Sequence, residues 1–293
     1  MNKEIEKMVT NYKNKTINDK KNGLKEIIQE ISLLGLSHTD FFSHAAFYGG
    51  TALRIFYGLD RFSEDMDFSL IQPESDFSLK DYLSAMEIEL NSYGFEMSAE
   101  YKDKKNLSTV QSAFIKGNTL VQLISIMDTQ PPISGVPNNE VIKIKIEIDT
   151  SPPAGAVYEQ KFRLQPQPFS VKLYDRPSLF AGKLHALLCR NWKRRIKGRD
   201  FYDYIWYLSE GIPVNLPHLE ARLIQTEHLS DAGSLSLSEV KELLYQRFEQ
   251  VNFEQAKEDI IPFISNPDKL EIWSKDFFTA VTQEKLLVSV PRS

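Results

Sequence analysis

The segment FYGGTALRIFYGLDRFSEDMDFSL, residues 47–70, combines a Gly-Gly turn, a helical pattern and a short acidic strand. Residues 49–51, Gly-Gly-Thr, open the helix, so free backbone N–H groups and a hydroxyl lie near its N-terminus, where a phosphate group can bind. Asp65 and Asp67 are two residues apart on the predicted strand, so both carboxylates project from the same face. Two aligned carboxylates commonly hold Mg²⁺ against nucleotide phosphates. The segment therefore predicts a site for a nucleotide and a divalent cation.

A second strand offers a third carboxylate. Residues 141–148, VIKIKIEI, alternate strictly, so Lys145 and Glu147 share one face with polar neighbours while the isoleucines occupy the other face. Glu147 can complete the acidic site if this strand lies beside the first acidic strand. Asp149 follows two residues later, and the choice between the two carboxylates stays open, with Glu147 favoured by its position.

The sequence patterns divide the chain into two regions. Up to residue 175, helical spacing at residues 3–34 and 78–93 accompanies a series of segments typical of strands, and beyond that point only helical patterns follow. We therefore predict an α/β domain over residues 1–175 and an all-α domain over residues 176–293. The predicted strands after the first acidic strand are residues 95–101, 109–115, 120–127, 141–148, 157–164 and 169–173.

Composition excludes several classes of protein. Apolar residues make up 42% of the 293 positions and charged residues 26%, which excludes a disordered or collagen-like chain. The single cysteine, Cys189, excludes an intramolecular disulfide framework. Residues 1–16 lack the apolar core of a signal peptide, and no apolar run approaches the roughly 20 residues of a membrane-spanning helix. We expect a soluble cytoplasmic protein with no membrane partner.

Basic residues are concentrated in RNWKRRIKGR, residues 190–199, although the net charge of the chain is −5. A local basic patch on an acidic protein can hold a phosphate-rich partner. We interpret this run as a surface that binds the phosphate backbone of a nucleic acid such as RNA. The predicted RNA-binding residues are Lys193, Arg194, Arg195, Lys197 and Arg199.

Two motifs resemble the AbiEii-like toxins of the nucleotidyltransferase superfamily, the toxin components of type IV toxin–antitoxin and phage abortive-infection systems. The first motif is GGTALR…RFSEDMDF, in which Thr51 stands where the superfamily usually has Ser and keeps the hydroxyl. The second is LFAGKLHALLCRNWKRRIKGRDFYDYIWYL, residues 179–208, with a Lys-Leu-x-Ala-Leu helix, a basic turn and a Tyr-Asp-x-x-Trp-Tyr-Leu helix. The resemblance covers about residues 47–210.

The resemblance implies an α/β nucleotidyltransferase fold, a mixed β-sheet with flanking helices, followed by an all-α C-terminal domain. It implies an enzyme that uses Mg²⁺ and transfers a nucleotide from an NTP donor to an acceptor, which for some relatives is the 3′ end of tRNA. It also implies an antitoxin, which in a type IV system need not contact the toxin.

Residue roles follow from the resemblance together with side-chain chemistry. We expect Asp65 and Asp67 to ligate one or two Mg²⁺ ions, and Glu147 to complete the metal site or act as a base. We expect Lys183 to place its ammonium on the triphosphate, and Asp200, with Asp203 as second choice, to orient Lys183 or an incoming base. The residues expected to bind the nucleotide are Gly49, Gly50, Thr51, Arg61, Ser63, Lys145, Lys183 and Asp203.

Three alternatives use the same motifs differently. The enzyme could transfer a nucleotide to a protein hydroxyl or a small molecule, or it could transfer a phosphoryl group. The basic run favours RNA over a small molecule, because a small substrate needs no extended positive surface. The third alternative is a non-catalytic module that binds nucleotide or RNA, and the intact Asp65, Asp67 and Lys183 argue against it.

Overall fold

The structure is a computed structural model, and the residues that it describes are 3–10, 12, 15–102, 109–127, 133–190, 196–230, 233 and 235–289. They belong to two compact units. Unit 1 comprises residues 1–58, 62–152 and 159–173, and unit 2 comprises residues 59–61, 153–158 and 174–293. Two short segments of the N-terminal half therefore group with the C-terminal helices.

The described strands are β1 (Ala45–Tyr48), β2 (Met66–Leu70), β3 (Ser98–Lys102), β4 (Val110–Asn118), β5 (Val141–Asp149), β6 (Tyr158–Arg163) and β7 (Phe169–Tyr174). They form one seven-stranded sheet in the order β3-β4-β5-β2-β1-β7-β6. The sheet is mixed, because β2 pairs in parallel with β5 and β1 in parallel with β7, whereas β1–β2, β3–β4 and β4–β5 are antiparallel. A mixed α/β architecture, as predicted from the sequence, is confirmed.

The helices of unit 1 cover one face of this sheet. They are α1 (Lys3–Thr10), α2 (Ile17–Ser37), α3 (Phe41–His44), α4 (Gly49–Tyr57), α5 (Leu83–Ser92) and α6 (Thr119–Met127), with a 3-10 turn at Leu79–Tyr82. Helix α2 begins at a capping box, in which the Thr16 side chain accepts a hydrogen bond from the Asp19 N–H and the Asp19 carboxylate accepts one from Thr16. It packs against α5, and its apolar side chains share one core with the isoleucine face of β5.

The alternation predicted for residues 141–148 is confirmed. Ile142, Ile144, Ile146 and Ile148 are buried, and the intervening positions are exposed or half-buried. The polar side chains of β5 therefore lie on the face of the sheet opposite the isoleucine core.

One predicted strand, residues 120–127, is wrong, because these residues form most of helix α6. The run LVQLISIM is apolar throughout, and apolar runs of this length fit a buried strand or a buried helix equally well. The deciding residue is Asn118, whose Oδ1 accepts a hydrogen bond from the Val121 N–H at 3.0 Å, as an N-cap does. Gly117 and Asn118 are the last two residues of β4, so α6 follows that strand directly.

In its described part, unit 2 is helical after β7, as the sequence predicts. Its helices are α7 (Arg176–Cys189), α8 (Gly198–Ser209), α9 (Leu216–Gln225), α10 (Leu237–Glu249), α11 (Phe253–Ile260) and α12 (Lys275–Lys285), with 3-10 turns at Ile261–Phe263 and Pro267–Leu270. Helix α12 is separate from the 3-10 turn before it, because Ser274 caps the helix by accepting a hydrogen bond from the Phe277 N–H. Buried rings form the core, with Phe278 in contact with Phe201 and Phe248 at centroid distances of 5.4 and 5.5 Å. Among the described residues, no helix is long and apolar enough to cross a membrane.

Candidate active site

Strands β2 and β5 bring two of the predicted carboxylates into one row. The strands pair in parallel, and Asp67 lies directly opposite Glu147. Directly paired residues of neighbouring strands project from the same face of a sheet, so these two side chains face the same side. Asp65 immediately precedes the first residue of β2. We predicted Glu147 at this site only if its strand lies beside the first acidic strand. The structure shows that the two strands are neighbours.

The register also separates the two candidates for the third carboxylate. Asp149 lies opposite Ser69, one side-chain repeat further along the strand than the Asp67–Glu147 pair, and its Oδ1 accepts a hydrogen bond from the Ser151 N–H at 2.9 Å. Glu147 Oε2 lies 2.6 Å from Lys145 Nζ, and Glu147 Oε1 accepts a hydrogen bond from the hydroxyl of Ser112 on β4 at 3.1 Å. Glu147 is therefore the carboxylate beside Asp67, and side chains of β4 and β5 hold it there.

The start of α4 packs directly against Asp67. Tyr48, the last residue of β1, pairs with Asp67, and Gly49 follows with a φ angle of +82°. A Cβ atom added at Gly49 would lie 2.5 Å from Asp67 Oδ2, so this position requires glycine for its conformation and for the space beside the carboxylate. Gly50 is the second residue of the same helix. The Gly-Gly pair thus lets the backbone approach the acidic row.

Thr51 occupies a different position from the one expected. Its side chain is buried, and its hydroxyl donates a short hydrogen bond to the backbone carbonyl of Asp65. We expected this hydroxyl to face a phosphate group. It instead ties α4 to the segment that enters β2, a contact between residues 14 apart that no local pattern reveals.

Unit 2 contains a buried ion cluster, made of Arg61, Lys183, Arg190, Asp200 and Asp203. Lys183 Nζ on α7 lies 2.9 Å from Asp200 Oδ1 and 2.7 Å from Asp203 Oδ2. The two aspartates are three residues apart on α8, so both reach the same side of that helix. Arg61 donates to both oxygens of Asp203, through Nε at 2.5 Å and a terminal nitrogen at 2.6 Å, and Arg190 donates to Asp200.

The ion cluster keeps Lys183 and Asp203 charged. Burial raises the pKa of Asp203, but Arg61 and Lys183 outweigh this effect and hold it below its ordinary value. Burial lowers the pKa of Lys183, but Asp200 and Asp203 outweigh this effect and hold it above its ordinary value. Arg61, Lys183 and Arg190 thus surround the buried carboxylates of Asp200 and Asp203.

Arg61 is the residue whose position the sequence did not reveal. Its motif neighbours indicated a loop residue near the acidic strand, whereas its side chain is 3% exposed and holds Asp203, 142 residues away. The bidentate geometry and the burial make it a positioning residue for the ion cluster. Ser63 lies in unit 1, where its backbone carbonyl accepts a hydrogen bond from Gln29 at 3.1 Å.

The predicted RNA-binding run is described only in part. Lys193, Arg194 and Arg195 lie outside the described residues. Lys197 immediately precedes α8, and the guanidinium of Arg199 lies over the ring of Phe263 at 4.4 Å from its centroid. The side chain of Arg199 therefore packs against a ring of its own unit.

A divalent cation is compatible with the acidic row. Within the described residues, no group of three His, Cys, Asp or Glu side chains is arranged to hold a metal ion by itself. Mg²⁺ commonly binds through one or two carboxylates and completes its shell with water and substrate phosphates. A pair of carboxylates next to a glycine that leaves room beside Asp67 fits that requirement.

Comparisons with known proteins show the family of the chain. A family model for the nucleotidyl transferase AbiEii toxin of type IV toxin–antitoxin systems matches residues 32–283. No curated protein matches the chain. A solved structure of a proposed nucleotidyltransferase from H. pylori is 17% identical, covers 88% of this chain and 89% of its own, and has a TM-score of 0.43. JHP933 from Helicobacter pylori is 18% identical over 89% of this chain and 86% of its own, with a TM-score of 0.42. The chain therefore belongs to the AbiEii family of nucleotidyl transferase toxins of type IV toxin–antitoxin systems.

Proposed function

We propose that this nucleotidyltransferase toxin uses Mg²⁺ to transfer nucleotides from an NTP to RNA, with the 3′ end of tRNA as the acceptor. The observation that carries the proposal is the pairing of Asp67 with Glu147 beside the Gly49 turn. This row offers paired carboxylates and a close backbone approach on one face of the sheet, which is what a nucleotide with its cation requires.

The roles of the acidic residues follow from their places. Asp65 and Asp67 would hold Mg²⁺, which when bound neutralises triphosphate charge and makes an acceptor hydroxyl easier to deprotonate. Glu147 is fixed by Lys145 and Ser112, so it can join the metal site or receive the proton of the acceptor hydroxyl.

In this proposal, Lys183 supplies positive charge to the triphosphate. Lys183 is held protonated by Asp200 and Asp203 and binds the triphosphate, and Arg61 fixes the carboxylate of Asp203. The nucleotide contacts proposed for Gly49 and Gly50 use the backbone, which the absence of side chains exposes. The assignment of Lys183 rests on the family motif.

The acceptor is proposed to be RNA because of the basic run at residues 190–199. Besides Arg190 and Arg199, which contact Asp200 and Phe263, the run contains four more basic residues and no acid, and a small acceptor needs no such extended positive surface. The family implies an antitoxin partner, and we propose that it acts without direct contact with the toxin. Transfer to a protein hydroxyl is the second candidate, because Ser63 lies two residues before Asp65.

Transfer of label from each α-³²P-NTP to total bacterial tRNA tests the proposal. We expect label on RNA from one NTP, dependence on added Mg²⁺, and loss of label with EDTA. Expression of the wild-type protein should also arrest bacterial growth. Label on the protein instead of the RNA would favour Ser63 or a neighbouring hydroxyl as acceptor, and no label on RNA with any NTP would contradict the RNA proposal.

Replacing Gly49 with Ala is expected to lower transfer by about 100-fold or more, because the new methyl group must displace the Asp67 carboxylate. Gly58→Ala is the matched control, because Gly58 has a φ angle of +80° and no atom within 4 Å of an added Cβ. Both variants should lose about 1–2 kcal/mol of folding free energy in urea unfolding, since both force Ala into the left-handed region. Equal activity of the two variants would show that the space beside Asp67 does not matter.

A further inference from the structure

The polar face of the sheet continues from the acidic row onto β3 and β4. On this face, Ser112 lies opposite Glu147, and Phe114 lies opposite Lys145. The next pair along the same two strands is Lys116 with Lys143. On β3, Lys102 lies opposite Ser112. We call the set Lys102, Phe114, Lys116 and Lys143 the lysine face.

Three ammonium groups of the lysine face surround one aromatic ring. Lys143 Nζ lies 3.6 Å from the centroid of the Phe114 ring, and the Nζ atoms of Lys102 and Lys116 each lie 5.9 Å from it. Cations within about 6 Å of a ring are attracted by its π-system. The ring thus holds like charges close together that would otherwise repel each other.

The charge of the lysine face is only partly neutralised. Lys116 is paired with Glu100, whereas among the described residues no carboxylate forms an ion pair with Lys102 or Lys143. Both of these lysines are exposed, and Phe114 is half-buried between them. A phosphate group would relieve the repulsion among the three ammonium groups, because it brings negative charge to a positively charged surface.

The lysine face lies next to the acidic row on the same face of the sheet. Phe114 and Ser112 are two residues apart on β4, which corresponds to about 7 Å along a strand. The hydroxyl of Ser112 donates to Glu147, and Glu147 lies opposite Asp67. The end of a single-stranded nucleotide chain bound across the lysine face would therefore reach the carboxylates of Glu147 and Asp67.

We propose that the lysine face binds the single-stranded 3′ end of the RNA acceptor, with a base stacked on Phe114 and phosphates on Lys102 and Lys143. The proposal rests on the proposed RNA-directed function and names the surface that recognises the acceptor next to the carboxylates. Stacking on an aromatic ring accepts any base, and exposed lysines follow the backbone, so the recognition is independent of sequence. The flexible side chain of Lys143 leaves the ring and contacts a phosphate when the base stacks.

The test compares RNA binding by full-length variants. The first variant is Lys102→Gln with Lys143→Gln, the second is Phe114→Leu, and the control is Lys15→Gln with Lys80→Gln, which removes two exposed lysines from elsewhere in unit 1. Fluorescence anisotropy measures the Kd for a short single-stranded RNA oligonucleotide and for total tRNA over a salt series. Binding of labelled NTP is measured in parallel, and circular dichroism checks the fold.

We expect the double lysine variant to bind both RNA probes more weakly and to lose about 1.4 units of salt slope, because each phosphate contact contributes about 0.7 on a single strand. Phe114→Leu should weaken binding about tenfold or more and leave the salt slope unchanged. The control should retain the wild-type slope, and all variants should bind NTP like the wild type.

The possible failures are distinguishable. Wild-type affinity and slope in both variants, with RNA still labelled by the wild-type enzyme, would overturn the lysine face and keep the proposed function. A reduced slope with unchanged affinity in Phe114→Leu would overturn the stacking. A wild-type protein that neither binds nor labels RNA would overturn both proposals, and an acidic protein partner would then be the occupant to test.

Discussion

Replacing Asp67 with Asn is expected to lower nucleotidyl transfer by about 10³-fold or more while the protein stays folded. The substitution keeps the size of the side chain and removes the negative charge beside the Gly49 turn and opposite Glu147. A cation that bridges the nucleotide phosphates needs that charge, because its ligands must neutralise part of its own charge. The initial rate of label transfer from the NTP to tRNA measures the effect.

Variants of two neighbouring carboxylates serve as comparisons for Asp67→Asn. Glu147→Gln should lower the rate by about 100-fold or more, because Glu147 shares the row with Asp67. Asp149→Asn should retain nearly the wild-type rate, because Asp149 lies one repeat away and is capped by the Ser151 N–H. An active, folded Asp67→Asn protein would exclude the acidic row as the metal site, and the opposite order of the other two variants would make Asp149 the third carboxylate.

Replacing Asp203 with Ala should destabilise the protein by about 3–5 kcal/mol, the cost of leaving buried charges without their partner. Asp203 is fully buried and holds Arg61 and Lys183 at once, so its loss leaves Arg61, Lys183 and Arg190 with the single carboxylate of Asp200. Urea unfolding of the full chain, followed by the fluorescence of its tryptophans, measures the loss. We also expect reduced transfer, because Lys183 loses one of the two groups that position it.

An exposed ion pair of the same unit provides the control. Lys269 and Asp60 are 53% and 50% exposed and lie 2.6 Å apart, so Lys269→Gln should cost less than about 1 kcal/mol. Equal destabilisation by Asp203→Ala and Lys269→Gln would show that burial of the ion cluster contributes nothing.

The same cluster predicts a dependence on pH. Arg61 and Lys183 hold the pKa of Asp203 below its ordinary value, so its stabilising effect is complete above about pH 4 and is lost as the pH falls through the lower pKa of the folded state. Wild-type stability should therefore fall more steeply in acid than that of Asp203→Ala. Parallel acid profiles of the two proteins would contradict this assignment.

The sequence predicted those features that local patterns determine. The alternation of β5 placed its isoleucines in the core and Glu147 on the polar face, whereas Asp65, which we expected on the first acidic strand, immediately precedes β2. The Gly-Gly pair marked a close approach of backbone and carboxylate, although the partner of Gly49 became evident only from the pairing of β1 with β2. Strict alternation and glycine requirements are properties of a few adjacent residues, so they can be recognised without the fold.

The features that the sequence missed depend on distant contacts. The pairing of Arg61 with Asp203 joins residues 142 apart, and the hydroxyl of Thr51 turns to a backbone carbonyl that only the folded loop brings near. The apolar run of α6 has no period that separates a helix from a strand, and the cap by Asn118 decides its conformation. The lysine face is likewise invisible in the sequence, because its residues come from three strands.

The discontinuous make-up of unit 2 limits how the chain can be cut and recombined. Residues 59–61 and 153–158 belong with the C-terminal helices, and Arg61 is buried against Asp203. A fragment ending at residue 173 would keep the guanidinium of Arg61 and lose its carboxylate, so no single cleavage yields two self-sufficient pieces. A chimaera that exchanges C-terminal halves between relatives must carry both short segments with the helices, or it will join an arginine to a half that has no carboxylate for it.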